Sequence, residues 1–294
     1  MSETIRLSYD GASAEISLHG AELLSYVDAD GREYIWQGDP VVWNQHAPVL
    51  FPVCGKAKDD CVIIGGKAYP MPKHGFACQS DFRVHDLRDH AVDLILEADD
   101  HTKTMFPFDF ALHVIYQITS HSFTTEFAVE NRSGDVMPFC IGGHPGLNFP
   151  FSDEQGRQPV LEFSAPVTDK LDVVIAGGYI QGKENFGDLI DGRTIHLTHH
   201  MIEKRDTLLF SGVEADSVLL MTPDRSLMLR MDIADFPNLA VWTMSGKYAD
   251  YVCLEPWQGL PASPDESGVL AEKPDAVCLS AGQTWRAAFT VSKA

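Results

Sequence analysis

The sequence is short of basic residues and of long apolar runs, and each shortage excludes a class of partner. It has 22 Lys and Arg against 42 Asp and Glu, a formal net charge of −20. This excess of negative charge argues against nucleic-acid backbones, anionic membrane surfaces and phosphate-rich partners, and a neutral or cationic small ligand fits better. No apolar run approaches the ~20 residues that span a bilayer. We therefore expect no nucleic-acid partner and no membrane partner.

The six cysteines are too dispersed to suggest a disulfide framework or a metal cage. No two of them form a Cys-x-x-Cys pair, and the stretch from Met1 to Arg6 lacks the basic region and apolar core of an export signal. We predict reduced thiols in a cytoplasmic protein. The cysteines are Cys54, Cys61, Cys78, Cys140, Cys253 and Cys278.

A helical pattern is missing as well. No window of about a dozen residues carries a convincing apolar stripe at helical spacing, whereas period-two alternation is frequent. The clearest case joins residues 110–118 to residues 123–129 through a short connection, which predicts a β-hairpin. The first ~40 residues read as a β-meander. Further alternating pieces occur at 92–97, 227–232 and 285–291.

The predicted strands are spread over the whole length, without a flexible linker or a block of like charge between them. An all-β chain of 294 residues can still be one domain. We therefore predict one large antiparallel β-sandwich over residues 1–294. Segment 43–55, punctuated by Trp and Pro, should be an ordered loop with apolar anchors. Residues 150–170 and 261–275, rich in Pro, Asp, Glu and Gly, should be long surface loops.

One histidine, His144, stands in the turn-like stretch Ile141-Gly-Gly-His-Pro-Gly-Leu-Asn148. Glycine permits backbone angles that other residues resist, and Pro145 fixes its own φ, so a stiff backbone would aim the imidazole ring. A histidine held in this way is a candidate acid or base near neutral pH. The competing interpretation is a Gly-Pro turn whose histidine merely caps a strand.

Two further residues could act with it. His74 precedes a glycine and an aromatic residue, and Glu255 ends an apolar strand just before a proline. A carboxylate in that place is costly unless it is paired or used, because its charged form loses water. Taken singly, a hydrogen-bonded loop histidine and a strand-end carboxylate explain both residues. Together with His144 they suggest an imidazole and carboxylate that shuttle protons, although only a fold could unite them.

Seven motifs follow one another along nearly the whole chain: Gly20-Ala-Glu-Leu23, Tyr34-Ile-Trp-Gln-Gly38, Ala47-Pro-Val-Leu-Phe-Pro52, His74-Gly-Phe-Ala77, Phe106-Pro-Phe-Asp-Phe110, Gly142-Gly-His-Pro145 and Leu254-Glu-Pro-Trp257. In this order they resemble the aldose 1-epimerase (galactose mutarotase) family, most closely its LacX-like branch. The resemblance implies a galactose mutarotase-like β-sandwich with a sugar-binding cleft. It also implies a cofactor-free isomerase of carbohydrate metabolism that interconverts the α and β anomers of a monosaccharide, an aldose.

The same resemblance implies roles for individual residues. His144 would be the general acid on the sugar ring oxygen, and Glu255 would be the base on the anomeric hydroxyl. His74 would hydrogen-bond near the ring oxygen, and both histidines and Glu255 count as catalytic candidates. Asp206, in Arg205-Asp-Thr-Leu-Leu-Phe210, would contact sugar hydroxyls.

Four more positions bear on sugar binding. Phe76 or Trp257 could stack on the apolar face of a pyranose, with core packing as the alternative for both. Lys56 stands where the family often has an arginine that reaches the substrate, and Cys78 stands where arginine is common. Each change removes a planar guanidinium from the expected cleft rim. The sequence therefore leaves the preferred sugar open and disfavours a phosphorylated one.

Three other functions compete with a mutarotase. A non-catalytic carbohydrate-binding or sugar-sensing protein could use the same scaffold, but binding alone would not need both an acid and a base. A glycoside hydrolase would want two carboxylates, and only Glu255 is singled out. A metal enzyme built on three clustered histidines lacks a recognised carboxylate partner, so a solvated loop and no metal are expected there. Those histidines are His196, His199 and His200.

Overall fold

The computed structural model of the chain describes residues 3–152, 156–168, 170–175, 177–187 and 190–294. The strands, in chain order, are β1 (Thr4–Tyr9), β2 (Ala12–Ser17), β3 (Leu23–Val27), β4 (Val49–Leu50), β5 (Cys61–Ile64), β6 (Lys67–Pro70), β7 (Arg83–Arg88), β8 (Ala91–Glu97), β9 (Phe110–Ile118), β10 (Ser122–Asn131), β11 (Met137–Phe139), β12 (Ile141–Gly143), β13 (Gly146–Asn148), β14 (Val160–Phe163), β15 (Lys170–Ile175), β16 (Tyr179–Asn185), β17 (Ile190–Asp191), β18 (Thr194–His196), β19 (Leu208–Ser211), β20 (Ser217–Met221), β21 (Met228–Asp232), β22 (Asn238–Trp242), β23 (Tyr251–Gln258), β24 (Val277–Leu279) and β25 (Thr284–Lys293). The helices are α1 (His199–Glu203) and four 3-10 turns at Lys58–Asp60, Ala77–Gln79, Thr102–Thr104 and Leu270–Glu272.

Two large antiparallel sheets make up most of the molecule. The ten-stranded sheet has the order β17-β18-β14-β20-β21-β25-β10-β9-β8-β7. The eight-stranded sheet has the order β16-β15-β19-β22-β23-β12-β4, and β13 also pairs with β23. Smaller sheets are formed by β1-β2-β3, β5-β6 and β11-β24. The predicted fold class, a large antiparallel β-sandwich, is therefore confirmed.

The hairpin predicted from alternation lies inside the ten-stranded sheet, between β25 and β8. β9 and β10 pair in continuous register from Phe123 opposite Ile118 to Asn131 opposite Phe110. Successive strand residues point to opposite faces, so the apolar set containing Leu112 and Val114 lies on one side and is fully buried. The two-residue period of this stretch thus determines which face of the sheet meets the core.

Buried aromatic side chains join the two large sheets face to face. Phe163 of β14 in the ten-stranded sheet packs against Phe210 of β19 in the eight-stranded sheet, with ring centroids 5.0 Å apart. One continuous cluster of buried apolar side chains runs through this interface. Aromatic pairs at this distance add roughly 0.5–1.5 kcal/mol to the burial of the rings. We call this interface the main core.

Two predicted surface segments are corrected by the structure. Within 150–170, residues of β14 pair with β18 and β20, and Leu161 is fully buried. The prediction was wrong there because a four-residue alternating strand was hidden among turn-forming residues; residues 153–155 and 169 lie outside the described part. The histidines predicted to lie in a solvated loop instead fall on β18 and on α1, which begins where the Thr198 hydroxyl accepts the Met201 N–H at 3.0 Å.

The structure also describes the other segments that the sequence singled out. The meander appears as β1-β2-β3, and segment 43–55 is an ordered loop with buried anchors that contains only the short β4. In 261–275 the surface loop is interrupted by a 3-10 turn whose Leu270 is buried. All six cysteines lie in the described part of the chain and are unpaired. Among the described residues, no helix has the length and apolar character needed to cross a membrane.

Candidate functional site

The candidate site lies on the face of the eight-stranded sheet that points away from the main core. β23 has both faces buried, and its side chains alternate between them. Val252 and Leu254 belong to the main core, whereas Cys253 packs in a separate cluster with Trp43. By the same alternation Glu255 points outward, where it lines a cavity of about 330 Å³.

Strand register brings His144 to Glu255. β12 pairs Gly142 with Trp257, and β13 resumes pairing with β23 at Gly146 in the same register. His144 lies between these two short strands, so it falls opposite Glu255 on the neighbouring strand. Two residues that are far apart in the sequence thus become cross-strand neighbours.

The glycines before His144 are explained by close packing rather than by unusual backbone angles. Neither Gly142 nor Gly143 has a positive φ. A Cβ on Gly142 would lie 2.6 Å from the Trp257 ring, and one on Gly143 would lie 2.6 Å from the Phe289 ring. The expectation that these glycines relax the backbone is therefore corrected: they let the strand carrying His144 approach its neighbours.

His144 and Glu255 are in direct contact inside an aromatic enclosure. Nε2 of His144 lies 3.2 Å from Oε2 of Glu255, although the two are not aligned as a hydrogen bond. Among the described residues neither Oε2 of Glu255 nor Nδ1 of His144 has a hydrogen-bond partner. The imidazole ring packs 5.2 Å from the Trp43 ring and 5.5 Å from the Trp242 ring. Buried polar atoms without partners are unusual, so these are available to a ligand.

His74 is fixed beside this pair by its backbone. Its φ is +67°, a region that non-glycine residues rarely adopt, and its N–H donates to the Gly55 carbonyl at 2.8 Å. The Gly55 N–H in turn donates to Nδ1 of His74 at 3.1 Å, which leaves the proton of a neutral ring on Nε2. The ring lies 5.6 Å from the His144 ring, and His74 lines the same cavity.

The other predicted sugar contacts divide into two groups. Asp206, in a left-handed conformation with φ of +61°, lines the cavity. Trp257 lines it as well, and its buried Nε1 has no hydrogen-bond partner within the part of the chain that the structure describes. Lys56 instead pairs with Asp60, and Phe76 is buried in the main core. Neither Lys56 nor Phe76 is among the residues that line the cavity, so their predicted sugar contacts have no geometric support.

Comparisons with known proteins identify the family of this chain. A family model described as "Aldose 1-epimerase" matches residues 3–292. The chain belongs to the aldose 1-epimerase family. It is 31% identical to the chromosomal protein LacX of Lactococcus lactis subsp. lactis over 288 residues, which cover 92% of this chain and 93% of that protein.

Solved structures of related proteins have the same fold. A galactose mutarotase-like protein from Lactobacillus casei ATCC 334 is 31% identical, with a TM-score of 0.92 over 99% of this chain and 100% of that one. A galactose mutarotase related enzyme from Lactobacillus acidophilus is 27% identical, with a TM-score of 0.89 over 99% of this chain and 97% of that one. The sugar epimerase or mutarotase kind of function is thus that of the family.

Burial decides the protonation of the central pair in this member of the aldose 1-epimerase family. Burial is the main cause that lowers the pKa of His144 from 6.5 to about 3; a backbone hydrogen bond opposes this shift, and the Lys73 ammonium contributes to it. Burial raises the pKa of Glu255 well above 4.5, an effect that Lys73 opposes and Asp206 reinforces. Burial, with the nearby His144 and Lys73, lowers the pKa of His74 well below 6.5. Burial therefore favours a neutral imidazole and a protonated carboxyl.

Three residues of the site were missed in the sequence. Lys73 lines the cavity and acts electrostatically on both histidines and on Glu255, although it was quoted only as the residue before His74. Trp43 and Trp242 form walls beside His144. Trp43 opens the Trp- and Pro-rich loop that the sequence did mark, but nothing in the alternation of residues 238–242 marks Trp242 as facing a cavity.

Proposed function

We propose that the protein is an aldose 1-epimerase that interconverts the α and β anomers of an aldose monosaccharide without a cofactor. The observation that carries the proposal is the contact between His144 and Glu255: an imidazole and a carboxyl group 3.2 Å apart, buried, and lining a cavity. Ring opening of a sugar requires one group that gives a proton and one that takes a proton. This pair supplies both at one place.

The proposed reaction needs only proton transfers. Glu255 takes the proton of the C1 hydroxyl, whose electrons form the C1=O bond. The C1–O5 bond breaks, and the ring oxygen receives a proton from His144. Rotation about C1–C2 presents the other face of the aldehyde, and the reverse transfers close the ring and restore both groups. Each positioned acid or base typically contributes ~10²–10⁴-fold to the rate.

The buried pair adds one step to this scheme. Burial disfavours both charged forms, so the shared proton favours Glu255 over His144. For His144 to act as the acid, that proton crosses the 3.2 Å contact to Nε2. Sugar hydroxyls that bind to the vacated carboxylate would stabilise the charged form, since a hydrogen bond to a carboxylate is stronger than one between neutral groups. We propose that sugar binding itself prepares the acid and the base.

Other cavity residues would orient the sugar. Nε2–H of His74 is a donor for an oxygen near the ring oxygen, and Asp206 is an acceptor for hydroxyl groups. The Trp43 and Trp257 rings offer apolar surface to a pyranose. One cavity thus brings together the residues with proposed roles, which are His144, Glu255, His74 and Asp206. The cation beside it is Lys73, where the sequence had suggested Lys56.

The test is polarimetry on a panel of freshly dissolved aldoses. We expect the protein to accelerate the decay of optical rotation for at least one of them, and His144→Asn to abolish the acceleration while the far-ultraviolet circular dichroism stays unchanged. Binding of an aldose by calorimetry without any acceleration across the panel would favour the alternative, a non-catalytic carbohydrate-binding or sugar-sensing protein. Full activity in His144→Asn would refute the assigned site.

A further inference from the structure

A second group of reactive side chains lies on the outer face of the ten-stranded sheet. Three neighbouring strands contribute to it: β7 provides His85, β8 provides Asp93 and β9 provides His113. One ligand atom from each lies within 4.8 Å of the other two. The proposed mutarotase chemistry uses none of these residues, and none of them lines the catalytic cavity.

The backbone brings the three side chains to one face. His113 alternates with Leu112 and Val114 of the main core, so it points away from that core. The pairing of β8 with β9 places Ile95 opposite His113, which makes Asp93 a diagonal neighbour on the same face. The pairing of β7 with β8 shifts at His85, which is the extra residue of a β-bulge. Bulges re-aim side chains, and this one turns His85 towards His113.

The contacts prepare His113 to act as a ligand. Its Nδ1 lies 2.8 and 3.0 Å from the two Asp93 carboxylate oxygens. Its Nε2 lies 3.7 Å from Oε1 of Glu130, which is beyond hydrogen-bond distance. The His85 and His113 rings are 5.1 Å apart and nearly perpendicular. His113 is buried, with 8% of its surface exposed, whereas His85 is exposed, so solvent reaches the group from one side.

We propose that His85, Asp93 and His113 form a binding site for a divalent transition metal ion of the zinc, cobalt or nickel type. Two imidazoles and one carboxylate are a donor set that such ions prefer, and the carboxylate supplies negative charge. Tetrahedral donors about 2.1 Å from a metal lie roughly 3.4 Å apart. Metal binding would therefore lengthen the 2.8 Å contact between His113 and Asp93 slightly and bring the exposed His85 closer to both. With the metal on Nδ1, the His113 proton moves to Nε2, towards Glu130. Carboxylates commonly orient ligand histidines in this way.

A matched control is present in the same chain. His19 contacts Asp81 at 2.8 Å, the same imidazole and carboxylate pair as His113 and Asp93, but no group of three possible metal ligands among the described residues includes His19. Two other groups of possible ligands exist among the described residues: Asp28, Asp30 and His121 form one, and His144, Cys253 and Glu255 form the other. The test must separate the proposed site from both.

The experiment titrates the full-length protein, freed of metal with a chelator, with Co²⁺ and with Zn²⁺, using visible absorption and calorimetry. We expect one equivalent to bind. His85→Ala, at an exposed position, should weaken binding by more than about tenfold, whereas His19→Ala should not change it. His113→Ala should behave like His85→Ala, but it removes a buried side chain, so its fold is checked by circular dichroism.

Several outcomes would overturn the proposal. Unchanged affinity in His85→Ala, or no binding at millimolar metal, would refute it. Loss of binding in His121→Ala would assign the metal to the first competing group. Loss in Cys253→Ser, together with a thiolate-to-cobalt band in the near ultraviolet, would assign it to the catalytic cavity. Because the readout is binding, the result does not depend on whether the protein proves to be a mutarotase.

Discussion

The two faces of β23 share one backbone, but their side chains lie in different surroundings. Val252 and Leu254 face the main core, where buried apolar side chains surround them. Cys253 and Glu255 face the cavity side, where an equally buried carboxyl oxygen has no hydrogen-bond partner among the described residues. Leaving such a group unsatisfied costs about 1–3 kcal/mol. One face therefore stabilises the fold, and the other reduces stability.

This difference indicates that the cavity side of β23 reduces the stability of the fold. Functional sites often break the rules that the rest of a protein obeys, and stability is lost where activity needs a strained or unsatisfied group. His74 follows the same pattern, with its positive φ beside the cavity. If the comparison holds, substitutions on the cavity side should reduce activity without reducing stability. Substitutions on the core side should reduce stability without reducing activity.

The largest effect is expected for Glu255→Gln. Glutamine keeps the shape of the side chain but cannot take a proton, so the rate of mutarotation should fall by ~10²–10⁴-fold. Polarimetry measures the rate, and thermal unfolding should show no loss of stability. Glu214→Gln, at an exposed glutamate, is the control and should match the parent protein. Full activity in Glu255→Gln would show that Glu255 is not the base.

Leu254→Ala tests the opposite face of the same strand. It should lower the free energy of unfolding by about 2–5 kcal/mol, because it removes buried methyl groups and leaves a cavity. Urea denaturation measures this change. Activity per folded molecule should stay within a few-fold of the parent protein. A rate loss as large as that of Glu255→Gln would show that the two faces are not separable.

The pH dependence of stability sharpens the comparison further. The folded pKa of Glu255 is raised above 4.5, so its stabilising contribution is full below that pH and is lost as the pH rises towards the folded value. The loss is at most about 1.4 kcal/mol per pH unit. Glu255→Gln lacks this loss. The melting temperature of the variant, measured relative to that of the parent protein, should therefore rise between about pH 5 and pH 8. Parallel melting curves across that range would contradict the raised pKa.

The smallest effect is expected for Lys73→Met. Lys73 is exposed, and its charge lowers the pKa of Glu255, so its removal should shift the pH–activity profile to higher pH. Solvent screens an exposed charge, so we expect less than a tenfold fall in kcat/KM and a smaller effect at high salt. Lys67→Met, at an exposed lysine on β6, is the control. An effect as large as that of Glu255→Gln would make Lys73 a direct participant.

Much of this arrangement was predictable from local pattern. The alternation at 110–118 and 123–129 predicted the hairpin, because a two-residue period reports directly on a half-buried strand. β14 was missed, because four residues between turn-forming segments carry too little periodicity. Phe76 and Trp257 were equally plausible as stacking residues, since an aromatic side chain in a motif carries no sign of which way it faces. Only packing separated them, with Phe76 in the main core and Trp257 on the cavity.

The sequence by itself determined the fold class, the family and three residues worth bringing together: His74, His144 and Glu255. Tertiary structure decided the rest, because each remaining property depends on groups that are distant along the chain. Register with β23 places His144 opposite Glu255, and burial then favours the neutral form of both groups. No local pattern encodes strand register or desolvation, since both arise only when the sheets pack.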